Sequence, residues 1–331
     1  MPHILLLGAG FSRNWGGLLA REFFNHLIGM QEITEDNYLR DLLWNTKDSG
    51  YENALSIVQT AFMQNPQNNR DRLRQLQSAI SVVLQSMNQA FLNMQNMEFQ
   101  QFREIMLRTF MFRFDAIFTL NQDILLECHY CPHVELGDVI RWDGAQIPGM
   151  RRIPALQQEQ LSSWARDTWE PIQANQFRVE NRLQPYFKLH GSSNWRNNND
   201  GESLLVIGGD KSRTIQSLVI LSWYFEKFQE YLNAPNTKLF IIGYGFKDSH
   251  INEAIINAVN NHGLEFFVVD SLGSNIVRQV NPSFGGAIYA PNELDNAFRR
   301  GLIGASERRL SETFGGNDMV SHANVMQFLP N

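Results

Sequence analysis

The chain has 331 residues, is 43% hydrophobic and 19% charged, and carries a formal net charge of −6. This is the composition of a globular protein with a sizeable core. Basic residues occur as isolated pairs such as Arg151-Arg152, so direct nucleic-acid binding is not expected. No apolar run approaches the ~18 residues of a membrane span, no signal peptide is expected at the N-terminus, and two cysteines exclude a disulfide scaffold.

The chain opens with His3-Ile-Leu-Leu-Leu-Gly-Ala-Gly-Phe-Ser12. Ile4 to Leu7 is a short apolar run without alternation, the pattern of a strand buried on both faces. Gly8 and Gly10 allow a tight turn and close backbone approach. A helical pattern then runs from Gly16 to Gly29. Strand, glycine turn and helix together predict a phosphate-binding edge. An ordinary dinucleotide unit would place a second strand soon after, and a third glycine where Arg13 stands. Instead, Asn25 to Phe110 reads as helix. Leu73, Leu76, Ile80, Val83, Leu84, Met87, Phe91 and Met94 recur at helical spacing, which predicts one amphipathic helix of about 28 residues. That helix is expected to pack within the chain, with a subunit contact as the alternative.

A second strand is predicted at Asp115 to Leu120, running into Asn121-Gln122-Asp123 and a short helix. Cys128-x-x-Cys131 is half of a zinc ligand set, with His129 and His133 nearby. No second C-x-x-C exists, and two reduced cysteines are the expectation. From Cys128 to about Pro185 the pattern is irregular and predicts a surface insertion with short strands or helices. Tyr186 to Leu189 then leads into His190-Gly191-Ser192, and Leu204 to Ile207 reads as a further strand. Gly208-Gly209-Asp210-Lys211-Ser212 lacks the upstream glycine of a P-loop and is set aside. After a helix from Ile220 to Leu232, Lys238 to Ile242 is a strand ending in Gly243-Tyr244-Gly245. Asp248 is read as the cap of a helix from Ser249 to Val259, and His250 as a surface residue of that helix. Leu264 to Asp270 is another strand, its terminal acid suited to ribose hydroxyls. Helices are expected from Pro291 onward. Trp15 and Trp195 read as packing residues, and Arg13 as a phosphate contact or a solvated side chain.

Parallel strands would bring these polar ends to one edge. Here the sequence resembles the sirtuins. Gly8-Ala-Gly-Phe-Ser12 is similar to their G-A-G-x-S loop, Thr119-Leu-Asn121-Gln-Asp123 to T-Q-N-x-D, and Leu189-His190-Gly191 to the L-H-G of the catalytic histidine. Gly243-Tyr244-Gly245 stands at their small-residue nucleotide loop. The G-I-P-D-F-R continuation and the four-cysteine zinc ribbon are missing, which disfavours a protein deacylase. The chain therefore resembles the divergent bacterial sirtuin-like NAD hydrolases of antiphage defence, and by domain layout most of all the stand-alone subunit that pairs with a HerA-type ATPase.

The resemblance implies an α/β fold: a Rossmann-like parallel sheet with helices on both faces. The core would comprise 1–34, 111–127 and 186–290, with a helical insertion at 35–110, an irregular one at 128–185 and C-terminal helices at 291–331. It implies a cytoplasmic, oligomeric enzyme that uses NAD as substrate and needs no metal. Asn121 and His190 would be catalytic. Gly8, Ala9, Gly10 and Ser12 would clamp the diphosphate. Asp123 would bind the carboxamide or ribose end, Gly243 and Gly245 would permit close approach, and Asp270 would hold the adenine-side hydroxyls. The alternative is a non-catalytic NAD or ADP-ribose sensor controlling assembly of a defence complex.

Overall fold

The computed structural model describes residues 2–47, 50–94, 105–136, 141–154, 163–198, 201–208, 211–280, 292–316 and 318–329. Of the residues singled out in the sequence, Gly209, Asp210, Pro291 and the side chain of His133 lie outside this description. Strands β1 (His3–Leu7), β2 (Ala116–Thr119), β3 (Gly144–Gln146), β4 (Met150–Ile153) and β5 (Thr168–Pro171) precede β6 (Leu183–Lys188) and β7 (Gly191–Arg196). They are followed by β8 (Ser203–Leu205), β9 (Lys238–Ile242), β10 (Glu265–Val269) and β11 (Leu302–Ser306).

Seven strands form one parallel sheet in the order β11–β10–β9–β1–β2–β6–β3. The sheet has helices on both faces, which is the expected Rossmann-like α/β class. β1 is central, and Ile4, Leu5, Leu6 and Leu7 are all fully buried. Burial on both faces explains why this strand reads as an unbroken apolar run. The chain moves from β1 to β2 and β6 on one side, then returns to β9 on the other. That reversal makes the carboxyl ends of β1 and β9 the switch point of the sheet, the place where open α/β sheets bind ligands.

The crossover from β1 to β2 is helical, as the periodicity predicts. Its longest element, Pro66–Asn93, starts with proline at its first position and is capped by Asn65, whose side chain accepts from Asn68 N–H. Leu76, Ala79, Ile80, Val83 and Leu84 pack against the Tyr51–Gln64 helix in a second apolar cluster. Phe91, further along, belongs to the main core. One long helix thereby ties the helical layer to the sheet.

Three expectations are corrected. The helix directly after the first glycine turn is the short Ala9–Arg13, and the next is Ala20–Leu27 rather than Gly16 to Gly29. The segment from Cys128 to Pro185 is more than a surface insertion. β3 joins the main sheet, while β4 and β5 pair with β7 and β8 in a second sheet, with Trp169 and Trp195 buried there. The C-terminal segment is not all helix, because β11 is an edge strand parallel to β10. Its Leu302-Ile-Gly-Ala-Ser306 is only half-buried and too short for alternation to announce it.

Candidate active site

The turn after β1 and the turn after β9 are packed into each other. Gly8 donates its N–H to Ile242 O, and Gly10 donates to Gly243 O, both at 2.9 Å. A Cβ on Gly8 would stand 2.5 Å from Gly243 O, and one on Gly10 would stand 2.7 Å from Gly243 Cα. Gly243 has φ +64°, and a Cβ there would meet Phe11 N at 2.3 Å. These glycines are therefore required by one another. The N–H groups of Gly8 and Gly10 serve the fold, which corrects their reading as phosphate donors. Gly245 differs: it is exposed, and a Cβ there would meet nothing closer than Lys247 Cγ at 4.0 Å. Arg13 is paired with Glu22 at 2.7 Å on the surface.

The turn after β2 is fixed by short polar links. Thr119 Oγ1 accepts Asn121 N–H at 3.0 Å. The Asn121 amide then donates to Gly8 O at 3.0 Å and to Ser12 Oγ at 2.9 Å. Asn121 and Ser12, 109 positions apart in sequence, thus form one unit at the edge. Asp123 is buried and accepts Leu125 N–H at 3.0 Å, starting the Leu125–His129 helix. Beneath this turn lies a fully buried ion pair, Lys188 Nζ to Glu127 Oε1 at 2.6 Å. Lys188 also donates to Asp123 O, and Tyr186 donates its hydroxyl to Glu127 Oε2 at 3.3 Å. Burial pushes the Glu127 carboxyl above its ordinary range, with Lys188 opposing.

The turn after β6 carries His190, 3% exposed. Gly191 follows at φ +73°, where a Cβ would fall 1.9 Å from Leu204 O of β8, so only glycine fits. Burial, reinforced by the Lys211 ammonium, pushes the His190 imidazole down to about 3, with Asp248 partly offsetting. His190 is therefore neutral at physiological pH.

His190 Nε2 lies 3.2 Å from His250 Nε2. His250 is 7% exposed, on the first turn of the Ser249–His262 helix, which corrects its reading as a surface residue. Asp248 stands at that helix's N-cap, but its side chain makes no capping bond and instead pairs with Lys211 at 2.7 Å. Lys211 also meets Glu52 at 2.7 Å. Burial pushes the Asp248 carboxyl up, but neighbouring His190 and Lys211 outweigh it and hold the group below its usual value. Burial opposes the Lys211 charge, and the two carboxylates raise it overall.

Among the described residues, Glu52 and Asn88 join the helical layer to this edge. Asn88 donates to Ser193 Oγ at 2.7 Å and accepts from Ile124 N–H at 3.3 Å. His250, Lys211, Lys188 and Asn88 are the residues that sequence reasoning missed. His250 had a readable signal, since it follows the Gly243-Tyr244-Gly245 turn by a few positions. Asn88 had none, being one of several amides on a long polar helix face. At the outer end of the edge, Asp270 accepts from Leu272 N–H at 2.9 Å, and burial raises its carboxyl. Its side chain thus shapes its own turn.

Among the described residues, one group of His, Cys, Asp and Glu has donor atoms close enough for a shared ion. It is His190, Asp248 and His250, with one atom of each within 4.8 Å of the others. The cysteine pair does not join such a group. Burial pushes Cys128 up to about 12 and Cys131 well above the ordinary thiol value, while His129 Nε2 is 2.9 Å from Phe91 O. Both cysteines are free thiols.

No curated protein matches the chain. A family model, the SIR2-like domain, matches residues 115–274. The matched span contains Asn121, Asp123, His190, Gly243, Gly245, His250 and Asp270, while the Gly8–Ser12 turn lies before it. Residues 115–274 are thus similar to the SIR2-like domain, and they lie in the parallel sheet that β1 completes.

Proposed function

We propose that the protein is an NAD hydrolase, cleaving the nicotinamide–ribose bond to give nicotinamide and ADP-ribose. The observation that carries this reading is the placement of Asn121 and His190 at the ends of adjacent strands β2 and β6, inside a SIR2-like domain. SIR2-like domains use NAD, and the edge offers what NAD cleavage needs. The exposed, sterically open Gly245 permits close approach of a dinucleotide. Asn121, fixed by Ser12 and Gly8, orients the ribose or the attacking water.

Nicotinamide leaves as a neutral base while positive charge develops at the anomeric carbon, as in glycoside hydrolysis. Water attacks that carbon and must lose a proton. His190, at the end of β6, is the group assigned to accept it. Ala9 and Ser12, in the Ala9–Arg13 helix that follows β1, and Asp123 at the β2 end would contact the dinucleotide. Asp270, at the end of β10, would meet the adenine-side ribose.

We extend the reading to an intracellular defence role: depletion of NAD in infected cells by an oligomer controlled by a HerA-type ATPase. Among the described residues, no helix is long and apolar enough to cross a membrane. The test is nicotinamide release from NAD with and without that ATPase, using the wild-type chain, Asn121→Ala and His190→Ala. Tight NAD binding without turnover in either arm would instead support a nucleotide sensor.

A further inference from the structure

We infer that His250 is a positioning residue for His190: it fixes the tautomer of that imidazole and receives a proton from it. The inference rests on the reading of His190 as a base. It starts from one contact, His190 Nε2 to His250 Nε2 at 3.2 Å, between side chains that are both buried. An N–H···N bond requires one donor and one acceptor, so the pair admits only complementary tautomers. If His190 is to accept a proton from water, its lone pair must be on Nδ1 and its own proton on Nε2. His250 Nε2 is then the acceptor, and His250 keeps its proton on Nδ1.

The proton step balances. An O–H bond of the attacking water breaks as its oxygen bonds the anomeric carbon, and a new N–H bond forms at His190 Nδ1. The His190 Nε2–H bond breaks as an N–H bond forms at His250 Nε2. His190 ends neutral, and the positive charge moves to His250. The Asp248 carboxylate, with an oxygen within 4.8 Å of a ring nitrogen of each histidine, stabilises that charge. Lys211 opposes it, but its ammonium is shared between Asp248 and Glu52, so the ion cluster of two carboxylates and one ammonium is net negative before His250 is charged. The Phe225 ring packs against the His250 ring with centroids 5.6 Å apart. The Ser249–His262 helix holds His250 in place through Asn252, whose Nδ2 donates to Phe246 O at 2.8 Å and whose Oδ1 accepts from Tyr244.

The experiment is ¹⁵N spectroscopy of the histidine rings in the full-length protein at neutral pH, in parallel with NAD turnover. His190 is expected to be neutral and protonated on Nε2, and His250 on Nδ1. In His250→Ala the His190 signal is expected to become a tautomer mixture, kcat to fall 10- to 100-fold, and KM for NAD to change less than threefold. His250→Gln, whose amide oxygen accepts a hydrogen bond at similar reach but takes no proton, should restore the His190 tautomer without recovering kcat. The opposite tautomers in the wild type, or an unchanged His190 signal and kcat in His250→Ala, would overturn the inference. So would a stoichiometric zinc ion in the purified protein that is lost in His250→Ala, because the two nitrogens would then be metal ligands. The ring spectra do not depend on turnover, so an inactive wild-type protein with the expected tautomers would count against the NAD hydrolase reading and leave the pairing standing.

Discussion

Gly10 donates its N–H to Gly243 O at 2.9 Å, and a Cβ on Gly10 would stand 2.7 Å from Gly243 Cα. Two sheet-edge turns more than 230 positions apart are thus locked backbone to backbone across the switch point of the sheet. The lock accounts for Gly8, Gly10 and Gly243, while Gly245 stays outside it.

Gly243→Ala is expected to destabilise the fold by about 2–3 kcal/mol, combining a left-handed residue with backbone overlap. Gly245→Ala should change stability by no more than about 0.5 kcal/mol, because its Cβ enters open space. Urea unfolding measures the first difference. Calorimetric titration with NAD measures the second residue's role, and a weakened affinity in a fully stable Gly245→Ala protein is the expected result.

The buried pair Lys188–Glu127 holds the turn that carries Asn121. Lys188→Met leaves Glu127 buried without its partner and should cost about 3–5 kcal/mol. The double variant Lys188→Met/Glu127→Leu should recover a substantial part of that cost, since no charge then remains to be desolvated. Denaturant unfolding of the two single variants and the double variant checks the sign of the recovery.

His190 gives stability a pH dependence of defined sign. Its folded pKa, pushed down to about 3, lies below the unfolded value of about 6.5. Between those values the unfolded chain binds the extra proton, so stability falls as pH drops below about 6.5, by up to about 1.4 kcal/mol per pH unit. Above that window the imidazole is neutral in both states and contributes no slope. Glu127, held above its usual range, acts in the opposite direction, but it does so equally in a variant that keeps it. The urea midpoint of wild type should therefore drop more steeply between pH 7.5 and 5.0 than that of His190→Gln. Equal slopes would contradict the burial of His190.

Much of the fold was legible because parallel strands advertise themselves. Ile4 to Leu7, Ala116 to Thr119 and Leu239 to Ile242 are apolar runs buried on both faces and ended by glycine or polar turns. The Pro66–Asn93 helix was legible from its period. β11, β4 and β5 were not, because these strands are short and partly exposed; of the second sheet only the strand at Leu204 was legible.

At the site, the residues that end strands were visible: Asn121, His190 and the glycine turns. Their partners were not, because each partner is set by tertiary packing. His250 looked like any polar residue on a helix until the His190 contact made it a neighbour. Asp248 looked like a cap, yet its side chain turns to Lys211, which comes from a discarded glycine-rich segment. Local propensity assigns a cap by position in the chain, whereas an ion pair depends on what else reaches that point.

The central claim is that Asn121 and His190 cleave NAD. Its most direct measurement is nicotinamide release by the full-length chain supplied with NAD, alone and with a HerA-type ATPase, compared with Asn121→Ala and His190→Ala proteins shown to be folded. The account predicts release by the wild type in at least one arm and a fall of 100-fold or more in each variant. Undiminished release from both variants, or no release by the wild type in either arm, would contradict it.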